Sequence, residues 1–332
     1  MAKLDNTYDQ SADRSECIRQ RRPRMGDGEA TQRESCFGLS HLLILSGYDT
    51  RTVDLPRWGM AVEDRVSVNI NNGIADVRLN RPDKRNALDN EMFLALAAAG
   101  EKLKTDKSVR VVVLSGEGSS FCAGLDFGSF QQMAGGTKAE NAGEGNPGTM
   151  AAGRITHLGQ QVAWVWQEIP VPVIAAVHGH ALGGGIQICL GADIRIVHPD
   201  TQMSVRETHW GLVPDMSGTQ VLSNLVRPDV AKELTFTARV FSGQEAFELG
   251  LATRVSETPR EDAMAMAAEI AGRSPDAIRG SKELFNRVFS AGAAEQFAEE
   301  RRVIGSLIGR PNQVEAVMSN FEKRDANFID PS

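Results

Sequence analysis

Twice along this chain an apolar run as long as one buried strand breaks off into a turn of small residues. "VRVVVLSG" runs into "EGSSFCAGLDFGSF", and "VPVIAAVHG" runs into "HALGGGIQICLG". Length and β-branching make both runs strands, and each must be covered by other elements. The surrounding pattern supplies the cover. "VSVNI" and "IADVRL", joined by "NNG", read as a hairpin. "NEMFLALAAAGEKLKTD" has alanine and leucine at helical spacing, an acid near its start and lysines at its end. "ITHLGQQVAWVWQEI" is a second helix, and "ADIRIVHPDTQMSVRE" supplies two more short strands. Beyond Asp215 the reading is helical to the end. Strands alternating with helices and then helices alone predict an α/β core with a helical tail.

The chain of 332 residues, 41% hydrophobic and 24% charged, can bury a large core. A net charge of −7 argues against a nucleic-acid partner held by phosphate contacts. No stretch reaches the length of a membrane span and none resembles a secretory signal, so the expected compartment is the cytoplasm. Cys17, Cys36, Cys122 and Cys189 show no metal-ligand spacing and read as free thiols; no metal is expected. Residues 1–59 hold both tyrosines and an arginine cluster without hydrophobic periodicity. They read as a disordered or non-native extension, with the working protein from Met60 and a mobile glycine-rich tract at 130–155.

Gly183, Gly184 and Gly185 stand where a helix begins, although each disfavours a helix by about 1 kcal/mol relative to alanine. Their spacing does not make a dinucleotide fingerprint, and the acidic ribose ligand is missing. Bare backbone there either lets a helix cross a strand closely or exposes amides to developing negative charge. The turn near Gly124 and Leu125 also follows a buried strand. Two amides converging from two strand ends make an oxyanion hole.

"RPDKRNAL", "FCAGLD", "PVIAAVHGHALGGGIQICLGADIRI", "GLVPDMSGTQVL" and "FEKRDANF", in that order, resemble the enoyl-CoA hydratase/isomerase, or crotonase, superfamily. The likeness spans nearly everything after Met60. It implies a crotonase-like spiral of ββα turns over 60–258, a helical trimerisation region over 259–332, and a homotrimer or dimer of trimers. It implies an acyl-CoA thioester as substrate, with coenzyme A part of that substrate and no separate cofactor. The N–H groups of Leu125 and Gly184 would hold the thioester oxygen. Lys84, Arg85 and Ala87 would touch the CoA phosphates and pantetheine, Ala123 and Asp126 would lie beside the adenine, and Lys323 would reach CoA from the last helix.

Hydratases of the superfamily use two glutamates. This chain has Gln187 at the first position and Glu207 at the second, and an amide cannot accept a proton from water at neutral pH. Asp215 stands where the common hydratases have glycine. Glu207 with Asp215 resembles the acid pair of the dienoyl-CoA isomerases, although those also carry an aspartate at the Gln187 position. The expectation is an acyl-CoA isomerase with Glu207 and Asp215 catalytic and Gln187 supporting. The alternatives are a 2-enoyl-CoA hydratase in which Gln187 and Asp215 help Glu207 position water, and a catalytically silent acyl-CoA-binding relative. His209 and Trp210 read as packing, and Cys122 and Cys189 as small core residues.

Overall fold

The computed structural model describes residues 65–128, 147–150, 154–288 and 293–331. The extension at 1–59 and most of the glycine-rich tract lie outside the described residues. Strands β1 (Val66–Asn71) and β2 (Ile74–Leu79) pair antiparallel, with Val66 opposite Leu79. Asn72 and Gly73 take φ of +50° and +77°, the backbone of a two-residue primed turn, which is what "NNG" foretells. Helix α1 (Asn90–Thr105) starts where the Asp89 carboxylate accepts the Met92 N–H at 2.9 Å, and it buries Met92, Phe93, Leu96 and Leu103.

Strand β3 (Val111–Gly116), helix α2 (Leu158–Glu168) and strand β4 (Val173–Val177) follow. Next come β5 (His180–Leu182), α3 (Gly184–Leu190), β6 (Ile194–Val197) and β7 (Gln202–Ser204). Then α4 (Gly218–Leu225), α5 (Pro228–Thr237) and α6 (Gly243–Glu248) lead to β8 (Arg254–Val255), a two-residue strand absent from the helical reading beyond Asp215. Two residues are too few for period-two alternation to be visible. The main sheet has the order β1-β2-β3-β4-β6-β8 and is parallel apart from β1, while β5 and β7 form a separate parallel pair.

The central strands β3 and β4 are covered on both faces, which is why they read as continuous apolar runs. Val112 and Leu114 of β3, with Val173 and Ala175 of β4, share one cluster with α1 and α2. The alternate residues Val111, Val113, Ile174 and Ala176 pack instead on Ala263, Ala267 and Ala271 of α7 (Pro259–Ala271). The helical region read from 259 therefore contributes its first helix to the sheet's second face. Helices α8 (Pro275–Arg287), α9 (Ala293–Leu307) and α10 (Pro311–Glu322) complete the chain. Lys282 pins α8 to the core by donating to Trp166 O at 2.9 Å, Val171 O at 3.0 Å and Asp193 Oδ2 at 2.7 Å. Among the described residues no helix is long and apolar enough to cross a membrane.

Two glycines separate packing from propensity. A Cβ on Gly185 would stand 2.3 Å from Cys122 O, whereas one on Gly305, within α9, would meet nothing within 4 Å. Gly185→Ala is expected to cost about 1–3 kcal/mol of stability by overpacking. Gly305→Ala is expected to gain about 0.5–1 kcal/mol from helix propensity. Urea denaturation of the two variants checks the opposite signs.

Candidate active site

The first wall of the site is the loop after β2. Asn86 is fully buried, and its Oδ1 accepts the Arg81 N–H at 2.7 Å while its Nδ2 donates to Glu117 O at 3.0 Å and Ser120 O at 2.8 Å. That one side chain ties the loop 81–87 to the turn after β3. Beyond it Leu88 bridges to Leu125: the Leu88 N–H bonds Gly124 O at 2.8 Å, and the Asp126 N–H bonds Leu88 O at 3.0 Å. In extended backbone successive amides point to opposite sides, so the Leu125 N–H faces away from Leu88. No backbone hydrogen bond among the described residues takes it.

The second wall is the turn from β5 into α3. Gly183 has φ of +54°, and its N–H is held by Ser204 O at 2.9 Å. Gly184 is the first residue of α3, so its N–H has no partner within the helix. The two turns press together, since a Cβ on Gly124 would lie 2.7 Å from Leu182 O. The glycines answer both readings of the sequence. Gly183 supplies a left-handed backbone, while Gly184 and Gly185 admit close neighbours, at 2.7 Å from Leu88 Cδ1 and 2.3 Å from Cys122 O for the Cβ each lacks.

A cavity of about 480 Å³ lies between these turns, lined by Leu125 and Gly184 together with Glu207, Asp215, Arg85 and Ala123. A larger groove of about 1160 Å³ between α2, α4 and α8 shares only Asp215 with it. The convergence of both turns with a buried carboxylate makes the smaller cavity the candidate site.

Glu207 opens the short 3-10 turn Glu207–Trp210 and is 8% exposed. Its Oε1 accepts a hydrogen bond from Gln187 Nε2 at 2.5 Å, while Oε2 is buried with no hydrogen-bond partner among the described residues. Burial pushes its pKa above the ordinary glutamate value and the charge of Asp215 adds to this, against the Gln187 hydrogen bond and nearby backbone N–H groups. Asp215 is exposed at the rim. Gln187 does not line the cavity. It is buried behind Glu207, with its own Oε1 accepting the N–H groups of Met216 at 2.9 Å and Gly218 at 3.0 Å. Gln187 thus meets Glu207 from the protein side.

The CoA strip is brought together in part. Arg85 and Ala123 line the cavity, whereas Lys84, Ala87, Asp126 and Lys323 do not. The Ala87 carbonyl accepts from Arg81 at 3.2 Å, and the Asp126 carboxylate is occupied by Arg81 Nη1 at 2.7 Å and the Gly128 N–H at 2.8 Å. The Arg81 hydrogen bond holds that carboxyl below its usual range and ties the turn to the loop 81–87. Lys323 sits in left-handed backbone, φ +53°, just past α10.

Further lining residues lie outside the candidate set that the sequence offers. Trp210 lies edge-on to Phe127 at 6.4 Å between centroids, and Leu212, Val213 and Met216 extend the apolar wall. Trp210, read as packing, therefore lines the cavity. His180 also faces it, with Nδ1 2.9 Å from Ser120 Oγ, and burial together with the charge of Arg85 lowers its pKa. Its signal in the sequence is its place three residues after the end of a buried strand. Cys122 and Cys189 are buried free thiols, each pushed up to about 12 by burial, and behave as core residues.

Residues 69–331 match the family model described as Enoyl-CoA hydratase/isomerase. The enoyl-CoA hydratase domain-containing protein 2, mitochondrial, of Mus musculus is 34% identical over 266 residues, covering 78% of this chain and 85% of that protein. The Delta(3,5)-Delta(2,4)-dienoyl-CoA isomerase, mitochondrial, of the same species is 30% identical over 264 residues, covering 77% and 79%. A crystal structure of enoyl-CoA hydratase from Bacillus anthracis superposes with a TM-score of 0.69 at 28% identity, covering 80% of this chain and 98% of that one.

Proposed function

We propose that this chain, which belongs to the enoyl-CoA hydratase/isomerase family, is an acyl-CoA isomerase that shifts a carbon–carbon double bond through a thioester enolate. The observation that carries this reading is the asymmetry of the site. Among the described residues, the Glu207 carboxylate lining the cavity has one buried oxygen with no hydrogen-bond partner, and the position beside it is an amide. Hydration needs one group to take a proton from water and a proton delivered at carbon. A double-bond shift needs one group that takes a proton and gives it back.

In the proposed reaction the thioester oxygen sits between the N–H groups of Leu125 and Gly184. Glu207 Oε2 removes a proton from C2 of a 3-enoyl thioester, the electron pair of that C–H bond moves onto the oxygen as the enolate, and the two amides stabilise the charge. The protonated carboxyl then returns the proton to C4, and the enolate electrons re-form the carbonyl as the double bond moves to C2–C3. With a 3,5-dienoyl thioester the far terminus lies beyond Glu207, and Asp215 at the rim serves it. Coenzyme A is part of the substrate, met by Arg85 and Ala123, and no separate cofactor enters. The apolar groove that exposes Phe285 and Val288 is consistent with assembly as a homotrimer or a dimer of trimers.

A 2-enoyl-CoA hydratase is the second reading, favoured by the carboxylate of Asp215 in the same cavity, which could supply the missing proton step. Asp215→Asn divides the substrates. It should slow turnover of a 3,5-dienoyl thioester by about 100-fold or more while leaving a 3-enoyl thioester within about threefold. Equal loss on both, measured as steady-state rates, would remove Asp215 from the far-end role.

A further inference from the structure

Gln187 is built into the site more firmly than a supporting residue requires. Ser217 takes φ of +61°, a left-handed backbone uncommon for serine, and on either side of it the N–H groups of Met216 and Gly218 both reach Gln187 Oε1. Two donors at one end of the amide fix that end as oxygen, so the NH2 end must face Glu207. Gly218 leaves the room: a Cβ there would stand 2.5 Å from Gln187 Oε1. The amide nitrogen then occupies Glu207 Oε1, the oxygen that lies 3.4 Å from where a Gly183 Cβ would be, and leaves Oε2 without a hydrogen-bond partner among the described residues.

We infer that Gln187 is a positioning residue that, through backbone-fixed orientation of its amide, assigns Glu207 Oε2 as the single proton-transferring oxygen. The inference rests on the reading of Glu207 as the proton carrier. The two transfers of the isomerisation then begin and end on one atom, held at a constant offset from the two amides that hold the enolate. An amide does this without competing for the proton, whereas a carboxylate at 187 would share it.

The test is the pH dependence of kcat on a 3-enoyl thioester for the wild type, Gln187→Glu and Gln187→Met. The other titratable or charged groups lining the cavity with Glu207 are Asp215, Arg206, His180 and Arg85, and none is altered. Glutamate at 187 can still accept both backbone N–H groups, so the fold is kept, but two carboxylates at hydrogen-bond distance resist joint ionisation. The acid limb should move up by about 1–2 pH units with KM within about twofold. Methionine removes the donor, and kcat should fall about 10- to 100-fold at nearly constant KM as Glu207 loses its fixed geometry. An acid limb that stays in place in Gln187→Glu, or a folded Gln187→Met with wild-type kcat, overturns the inference.

A wild type that hydrates 2-enoyl thioester and does not isomerise would instead overturn the isomerase reading, and the same profiles taken on hydration still decide the role of Gln187. Should neither substrate turn over, the titration of Glu207 can be followed directly. The carboxylate infrared difference between each protein and its Glu207→Gln counterpart must show the upward shift in Gln187→Glu, and an unshifted band refutes the inference.

Discussion

Replacing Glu207 by glutamine should lower kcat for double-bond isomerisation by about 100- to 10,000-fold, the usual contribution of a positioned acid–base group. The substitution keeps the shape of the side chain and an oxygen that can still accept from Gln187 Nε2, so the loss would report the proton and not the packing. Folding should respond in the opposite direction. The native state holds the Glu207 proton to higher pH than the unfolded chain, because burial raises its pKa. Stability therefore falls as pH rises from the ordinary glutamate value through the raised one, and stays reduced above it. Glu207→Gln removes that penalty. It should melt above the wild type at pH 7, and the difference should vanish below the ordinary glutamate range; thermal melts at the two pH values check this.

Exchanging the Leu125 backbone amide for an ester, through the corresponding α-hydroxy acid, should cost about 3 kcal/mol of transition-state stabilisation, roughly 100- to 1,000-fold in kcat. Substrate binding should change far less, because the oxygen's negative charge is fully developed only in the enolate. This change is cleaner than Gly184→Pro, whose added Cβ would stand 2.7 Å from Leu88 Cδ1 and 2.9 Å from Met216 Sδ. An ester at Asp126 is the control. Its N–H bonds Leu88 O at 3.0 Å, so its loss should lower the melting temperature while the Leu125 ester leaves it nearly unchanged. Wild-type turnover in a folded Leu125 ester would place the thioester oxygen elsewhere.

What was legible in the sequence follows the range over which each feature is encoded. The Asn72–Gly73 turn and the runs of β3 and β4 announce themselves within a few residues, through left-handed φ and continuous apolarity. The two-residue strand β8 has no such pattern and exists because it docks on β6. In the site, the two turns and Glu207 were legible because each follows a recognisable strand or motif. The role of Gln187 was not, since its partners Met216 and Gly218 lie 29 and 31 residues downstream. The partner of the Asp126 carboxylate is just as distant, since Arg81 lies 45 residues upstream. Trp210 reads as packing in the sequence, and the fold directs that packing against Phe127 along the cavity.

The most direct test of the isomerase reading follows the conjugated thioester absorbance of the wild-type protein with two substrates in the same buffer, a 3-enoyl-CoA and the matching 2-enoyl-CoA. A site with one proton-carrying carboxylate beside an amide predicts that absorbance appears from the 3-enoyl substrate faster than it is lost from the 2-enoyl substrate by hydration. Rapid loss from 2-enoyl-CoA, with no conjugated product forming from 3-enoyl-CoA, would contradict it and make the chain a hydratase in which an amide at Gln187 suffices.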